Sequence, residues 1–164
     1  MDDIADAAGV SKPVLYQHFP SKLELYLALL DMHVADLISR IEGAMSFTTN
    51  NKQRVHAAVS SYFDFIDSDG EAYRLVFESD LRNDPQVGER VERAQTACVE
   101  AIAEAVASDT HLDSTRSHLL SIALTGASEA SARRWLTRRD QLPREEAIDL
   151  VAALLWRGIS AFPK

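Results

Sequence analysis

The sequence predicts an all-helical protein of two parts: a small N-terminal helix-turn-helix unit, residues 1–24, and a larger helical body, residues 25–164. Three observations lead there. Apolar residues recur three and four positions apart along most of the chain, the period of a helix with one buried face. Long alternations of apolar and polar residues, the mark of a half-buried strand, are absent. Glycine and proline are few, six and five in 164 residues.

The first elements are read from "AGVSKPVLYQHFPSKLE", Ala8 to Glu24. Gly9 suits a helix end in the left-handed conformation, which costs glycine no Cβ clash. Ser11 is placed to accept from the free N–H groups of a second helix, and Pro13 fits that helix's first turn. Phe19-Pro20 closes it, since a residue before proline is pushed out of the helical region. Ser21 and Glu24 then have capping-box spacing. Helix, tight turn and short helix make a helix-turn-helix, whose second helix enters the DNA major groove. Leu15 and Phe19 share one side of it and are expected to pack inward. Lys12, Pro13, Tyr16 and Gln17 are left outside, with His18 near the end. Such side chains donate to phosphates, and lysine and glutamine also read base edges.

The long helices follow. Leu23, Leu27, Leu30, Val34, Leu37, Ile38 and Ile41 form a stripe on a helix from Ser21 to about Met45, broken by "SFTTNN". Val55, Val59, Tyr62, Phe63 and Ile66 form the next, ending at "DSDG" with Gly70 as its cap. A shorter helix carries Tyr73, Val76 and Phe77. Asp84-Pro85 opens another that runs to about Ala107, with Val87, Val91, Ala94, Cys98 and Ile102 inward. From Ser114 to Arg138 the small residues of "ALTGASEASA" allow another helix to come close. The last helix begins at Pro143, with Glu145 and Glu146 at its positive end. It is apolar on two sides, Ile148, Val151, Leu155 and Ile159 on one and Ala147, Leu150 and Leu154 on the other. Its own domain covers one side, and the same helix of a second copy is the expected cover of the other.

Composition narrows the function. A net charge of −8 rules out a protein that coats DNA with its whole surface. Residues 1–22 hold two lysines against three aspartates, so local geometry has to outweigh the field, and the rest of the chain is expected to stay off DNA. One cysteine excludes an internal disulfide framework and suits a reducing cytoplasm. No apolar run approaches the ~20 residues of a membrane span. His33, His56, His111 and His118 have no close ligand spacing, so neither a metal nor another cofactor is expected. No nucleophile–base set or phosphate-cradling glycine loop points to an enzyme. Arg133, Arg134, Arg138 and Arg139 sit where a helix C-terminus favours cations.

"IADAAGVSKPVLYQHFPSKLELYLAL", Ile4 to Leu29, closely resembles the DNA-binding segment of the TetR family of bacterial transcriptional regulators. The I-A-x-x-A-G-V-S, L-Y-x-H-F and S-K pieces stand in order, over about a fifth of the chain. The resemblance implies that Lys12 to His18 is the recognition helix. It places Ser11, Tyr16, His18 and Lys22 on phosphates, and Lys12, Pro13, Val14 and Gln17 against bases. It also implies a homodimer on a palindromic operator, with residues about 114–138 and 143–161 forming the dimer bundle. The larger domain would bind a small-molecule effector, Tyr62, Phe63 and Phe77 being the candidate liners of a cavity enclosed by helices between Ser21 and Ala107. Family members carry a further helix and a capping residue ahead of this motif, and neither stands in these 164 residues. A start codon assigned too late, or a truncated product, is the expected reason. The reading is thus a DNA-binding transcriptional regulator, a ligand-responsive repressor. The alternative is a ligand-binding dimerisation module that no longer binds DNA.

Overall fold

A computed structural model describes residues 1–68 and 83–159. Seven helices make up these residues. They are α1 (Asp2–Ala8), α2 (Lys12–His18), α3 (Lys22–Ser46), α4 (Asn51–Ser68), α5 (Pro85–Thr110), α6 (Ser114–Leu136) and α7 (Arg144–Ile159). The expected helix carrying Tyr73, Val76 and Phe77, and the cap at Gly70, lie outside the described residues.

The predicted punctuation is found almost position by position. Gly9 ends α1 at φ +67°, in the left-handed region that a side chain would strain, and its N–H reaches Ala5 and Asp6 carbonyls. Ser21 caps α3 by accepting from the Glu24 N–H at 3.1 Å. Asp84 caps α5 through the Gln86 N–H, with Pro85 in the first turn, and Asp113 does the same for α6 through the Arg116 N–H. Ser11 is the exception. It occupies the cap position of α2, but its side chain makes no capping bond, so the turn rests on its backbone and on Pro13.

The helices α3 to α7 surround one core. Leu27, Leu30, Leu37 and Ile41 of α3 are buried in it, with Leu23, Val34 and Ile38 packed at its edge. Helix α4 adds Val59, Tyr62, Phe63 and Ile66, and α5 adds Val87, Val91, Cys98 and Ile102. Tyr26 and Val106 also belong to it, beyond the expected stripes. Helices α3 and α5 pack side by side and are tied together by the Arg90–Asp31 ion pair at 2.9 Å. Helix α4 runs back against α3, and Ser61 donates to the Arg40 carbonyl. Ala5 and Leu15 are buried too, but α1 and α2 pack on each other and stand apart from this core.

Helix α6 turns a row of small residues inward: Ser117, Ser121, Thr125, Ser128 and Ala132. The Ser121 and Ser128 hydroxyls donate to the carbonyls of Ser117 and Leu124, so they enter the core without stranded donors. Of the larger apolar residues of α6, Leu119 and Ile122 face out, while Leu120, Leu124 and Trp135 pack against the core. In α7 the division differs from the expectation at one position. Ala147 lies with Ile148 and Ala152 in the core, because its small side chain fits close to α4, while Leu150 and Leu154 face out. The α6–α7 turn is fixed by Trp135, whose Nε1 donates to the Leu142 carbonyl at 2.9 Å. Arg144 ties the start of α7 to Asp64 and Asp67 of α4.

Candidate DNA-reading helix and effector cavity

Helix α2 is displayed as a reading helix has to be. Leu15 is buried and Phe19 is half-buried, while Ser11, Lys12, Pro13, Val14, Tyr16, Gln17, His18 and Lys22 are all exposed. One hydrophobic anchor therefore orients seven residues of helix, and every side chain singled out for DNA is open to solvent. The ring of His18 lies 6.5 Å from that of Phe19, tilted by 50°.

Lys12 has a partner the sequence did not suggest. Its ammonium pairs with Asp2 at 2.8 Å, joining the first turns of α1 and α2. The hydrogen bond lowers the Asp2 carboxyl below its ordinary pKa and raises the Lys12 ammonium above its own. Both groups are exposed, so water screens the pair and a phosphate or a guanine edge can take the place of Asp2. Asp2 lies ten residues before Lys12, and only the turn at Gly9 brings the two together.

The larger body holds an apolar cavity that is partly open to solvent. Met45 of α3, Val55 and Val59 of α4, Ile102 and Val106 of α5, Leu124 of α6 and Leu155 and Trp156 of α7 line it. Arg54, Asn51, Asp109, Thr110 and Ser128 supply the polar groups. The sequence pattern puts this cavity between helices up to Ala107, whereas in the fold α6 and α7 help to close it. Tyr62 and Phe63 are buried in the core and do not line this cavity, though Phe63 borders a second, more open pocket with Trp135, Leu142 and Val151. Phe63 sits against Trp135 with ring centroids 5.5 Å apart. Phe77 lies outside the described residues.

Burial pushes the Tyr62 phenol well above its usual pKa, with the neighbouring Cys98 adding to the effect. Burial also pushes the Cys98 thiol up to about 11. The thiolate is the reactive form, so Cys98 behaves as a small core side chain. Iodoacetamide at neutral pH is expected to leave the native protein unlabelled over an hour and to label it fully in denaturant. Native labelling at the rate of a free thiol would contradict this placement. Among the described residues no group of three or more His, Cys, Asp or Glu side chains could hold a metal ion, and no helix is long and apolar enough to cross a membrane.

A tight-turned helix pair with an exposed second helix, carried by a helical body with an internal cavity, defines a helix-turn-helix transcriptional regulator. Residues 1–29 match the model of bacterial regulatory proteins of the tetR family, and residues 51–158 match that of the tetracyclin repressor-like C-terminal domain. The chain belongs to the TetR family. It is 45% identical over 163 residues to the HTH-type transcriptional activator FasR of Mycolicibacterium smegmatis, covering 99% of this chain and 74% of that protein. It is 39% identical to the nucleoid occlusion factor SlmA of Mannheimia succiniciproducens over 62 residues, 38% of this chain and 29% of that one. Among solved structures, a TetR-like regulator from Rhodococcus sp. RHA1 superposes with a TM-score of 0.76 at 26% identity, covering 98% of this chain and 84% of that one. FadR from Bacillus halodurans shares the fold, with a TM-score of 0.76 at 18% identity over 96% and 87% of the two chains.

Proposed function

We propose that this regulator binds a palindromic operator as a homodimer, reading it with α2, and that a small molecule in the α3–α7 cavity controls that binding. The carrying observation is the arrangement of α2, where Leu15 alone is buried and all eight side chains nominated for DNA are exposed. In this reading Ser11, Tyr16, His18 and Lys22 hold phosphates, and Lys12, Pro13, Val14 and Gln17 face base edges. The unit ending near residue 24 reads DNA, and the remainder senses and dimerises. An intact turn and a fully displayed α2 speak against a module that has given up DNA. Kinship with transcriptional regulators supports reading the protein as a sensor working in the cytoplasm and not as an enzyme.

The cavity's mostly hydrocarbon lining supports an effector with a substantial apolar portion, since such sites take ligands of like character with a few placed polar groups. FadR from Bacillus subtilis, which shares this fold at 17% identity, was solved in complex with stearoyl-CoA. For this chain the support is the lining itself. The sign of control is set by where an operator lies relative to its promoter, and a relative named as an activator stands beside the expectation of a repressor.

Footprinting on genomic DNA tests the reading. The protein, preceded by its upstream coding sequence where that exists, is expected to protect a two-fold symmetric site. Lys22→Ala should weaken binding to all sequences alike and lower the salt slope by about one unit for each phosphate left unneutralised. Lys12→Ala or Gln17→Ala should instead change the preferred sequence, since a good base contact is worth about 1–3 kcal/mol of discrimination. Absence of any protected site at low salt would overturn the proposal.

A further inference from the structure

We propose that a charged clasp beside the α6–α7 turn selects the dimer partner: Arg134 and Arg138 of one copy take Glu146 of the second, and the contact is made twice. The proposal rests on the reading of the protein as a homodimer through α6 and α7. It gives that interface a register and a basis for choosing its partner.

Arg40, Arg54, Arg90, Arg93, Arg116 and Arg144 each hold a carboxylate of their own chain. Arg133, Arg134, Arg138 and Arg139 are exposed, and none of them pairs with a carboxylate among the described residues. Arg138 reaches only the neutral Gln141, Nη1 to Oε1 at 3.4 Å. The dipole of α6 favours cations near its end, but it does not decide which way they face. Arg134 and Arg138 line the groove between α6 and α7, over a floor of Phe63, Trp135 and Leu142, with the exposed Leu150 on its rim. Arg133 and Arg139 do not line it.

The counter-charge stands on α7. Glu146, Leu150 and Leu154 follow at four-residue spacing, so they share one side of the helix, and all three are exposed. Glu145 is taken by Arg144 and Asp149 by His56, whereas Glu146 pairs with no described residue. The apolar seam expected to meet a second copy thus ends in an unpaired acid on α7 and two unpaired bases beside it.

Height above the DNA brings the two together. Helix α4 runs antiparallel to α3, since Arg54 meets Thr48 and Ser61 meets Arg40. Asp64 and Asp67, further along α4, therefore lie toward the start of α3 and the DNA-reading unit. Arg144 binds both, and Trp135 rests on Phe63. The end of α6 and the start of α7 thus share one height, at the DNA side of the body. A dimer that reads a two-fold operator shares the operator's axis, which runs through both DNA and protein. Across that axis each residue meets residues of its own height, so Arg134 and Arg138 meet Glu146 of the second copy. Leucines alone accept any apolar helix. Opposite charges at one end admit a copy that carries the same pattern and refuse a helical regulator that lacks it.

The test mixes two variants of the full chain, Arg134→Glu/Arg138→Glu and Glu146→Arg. Each alone meets its own copy through two like-charge contacts, and each contact should cost about tenfold in association. Mixed, they restore opposite charges at both contacts. Native mass spectrometry of an equimolar mixture should find more than about nine-tenths mixed dimer, against roughly half for indifferent chains. The preference should shrink at about 1 M salt. All the substituted positions are exposed, so circular dichroism should match the wild type. Arg133→Glu/Arg139→Glu makes the same change in charge off the groove, and mixed with Glu146→Arg it should show no preference. A statistical mixture of the first two variants, or an equal preference with the off-groove variant, overturns the clasp and leaves the homodimer standing. A wild-type chain that is monomeric at micromolar concentration overturns both.

Discussion

Replacing Leu154 with glutamate is expected to leave this protein folded but monomeric, and to abolish tight operator binding with it. Leu154 is 70% exposed and Leu150 58%, while on the neighbouring helix Leu119 is 67% and Ile122 50% exposed. Four large aliphatic side chains on α6 and α7 are more apolar surface than single exposed leucines explain. Covered by the same face of a second copy, each would gain about 1.5–3 kcal/mol. The two-fold relation makes every contact occur twice. Glutamate in that seam would bury an unpaired charge, a penalty of several kcal/mol per copy, so dimer affinity should fall by at least about a thousandfold. Sedimentation at micromolar concentration should show a dimer for the wild type and a monomer for the variant, with unchanged helical circular dichroism. Because Leu154 lies outside the core of its own subunit, unfolding is not the expected route to the monomer. A variant that still sediments as a dimer would place the interface elsewhere.

Phe63→Ala acts on the other side of the balance. Phe63 is fully buried in the shared core and its ring rests against Trp135. Truncating such a ring typically costs about 3–5 kcal/mol through lost transfer energy and an unfilled cavity. Whole-protein stabilities are about 5–15 kcal/mol. The midpoint of thermal unfolding, compared at one protein concentration, should therefore drop by roughly 10 °C or more. Phe63→Leu, which keeps most of the volume, should recover most of the loss. A change below about 1 kcal/mol for the alanine variant would mean that packed neighbours do not hold the Phe63 ring.

That contrast shows how far a sequence carries and where it stops. Starts and stops were legible because Gly9, Pro13, Pro20, Ser21 and Pro85 act within a few residues of themselves. The inward faces of α3 and α5 were legible because one period decides them. Periodicity says that Val59, Tyr62, Phe63 and Ile66 all point inward, but not which meet ring or methyl groups and which meet a gap. The cavity opens where facing side chains are short, as at Ala58, Ala105 and Ser128, and that depends on which helix lies opposite. The same limit hid the ion pairs between helices. Asp109 is 55 positions from Arg54, and the Asp2–Lys12 pair needs the α1–α2 turn to be closed first. On α2 the fold was easier to read, since one buried leucine in a seven-residue helix leaves little choice about which residues face out.

Helix α3 is 25 residues long without interruption, with the DNA-reading unit at its first residue and the cavity wall, through Met45, near its last. At about 1.5 Å per residue it is a rigid arm of about 37 Å. An arm of that length turns angles into distances. A tilt of about 5° at the cavity end moves the far end by about 3 Å, and in a two-fold pair the gap between reading helices changes by up to about twice that. Successive major-groove faces are about 34 Å apart along the duplex, and a hydrogen bond to a base edge tolerates only a few tenths of an ångström. In the proposed dimer no large rearrangement would then be needed to let go of DNA. A tilt of a few degrees at one end of α3 would become, at the other, a mismatch of register that neither half-site can absorb.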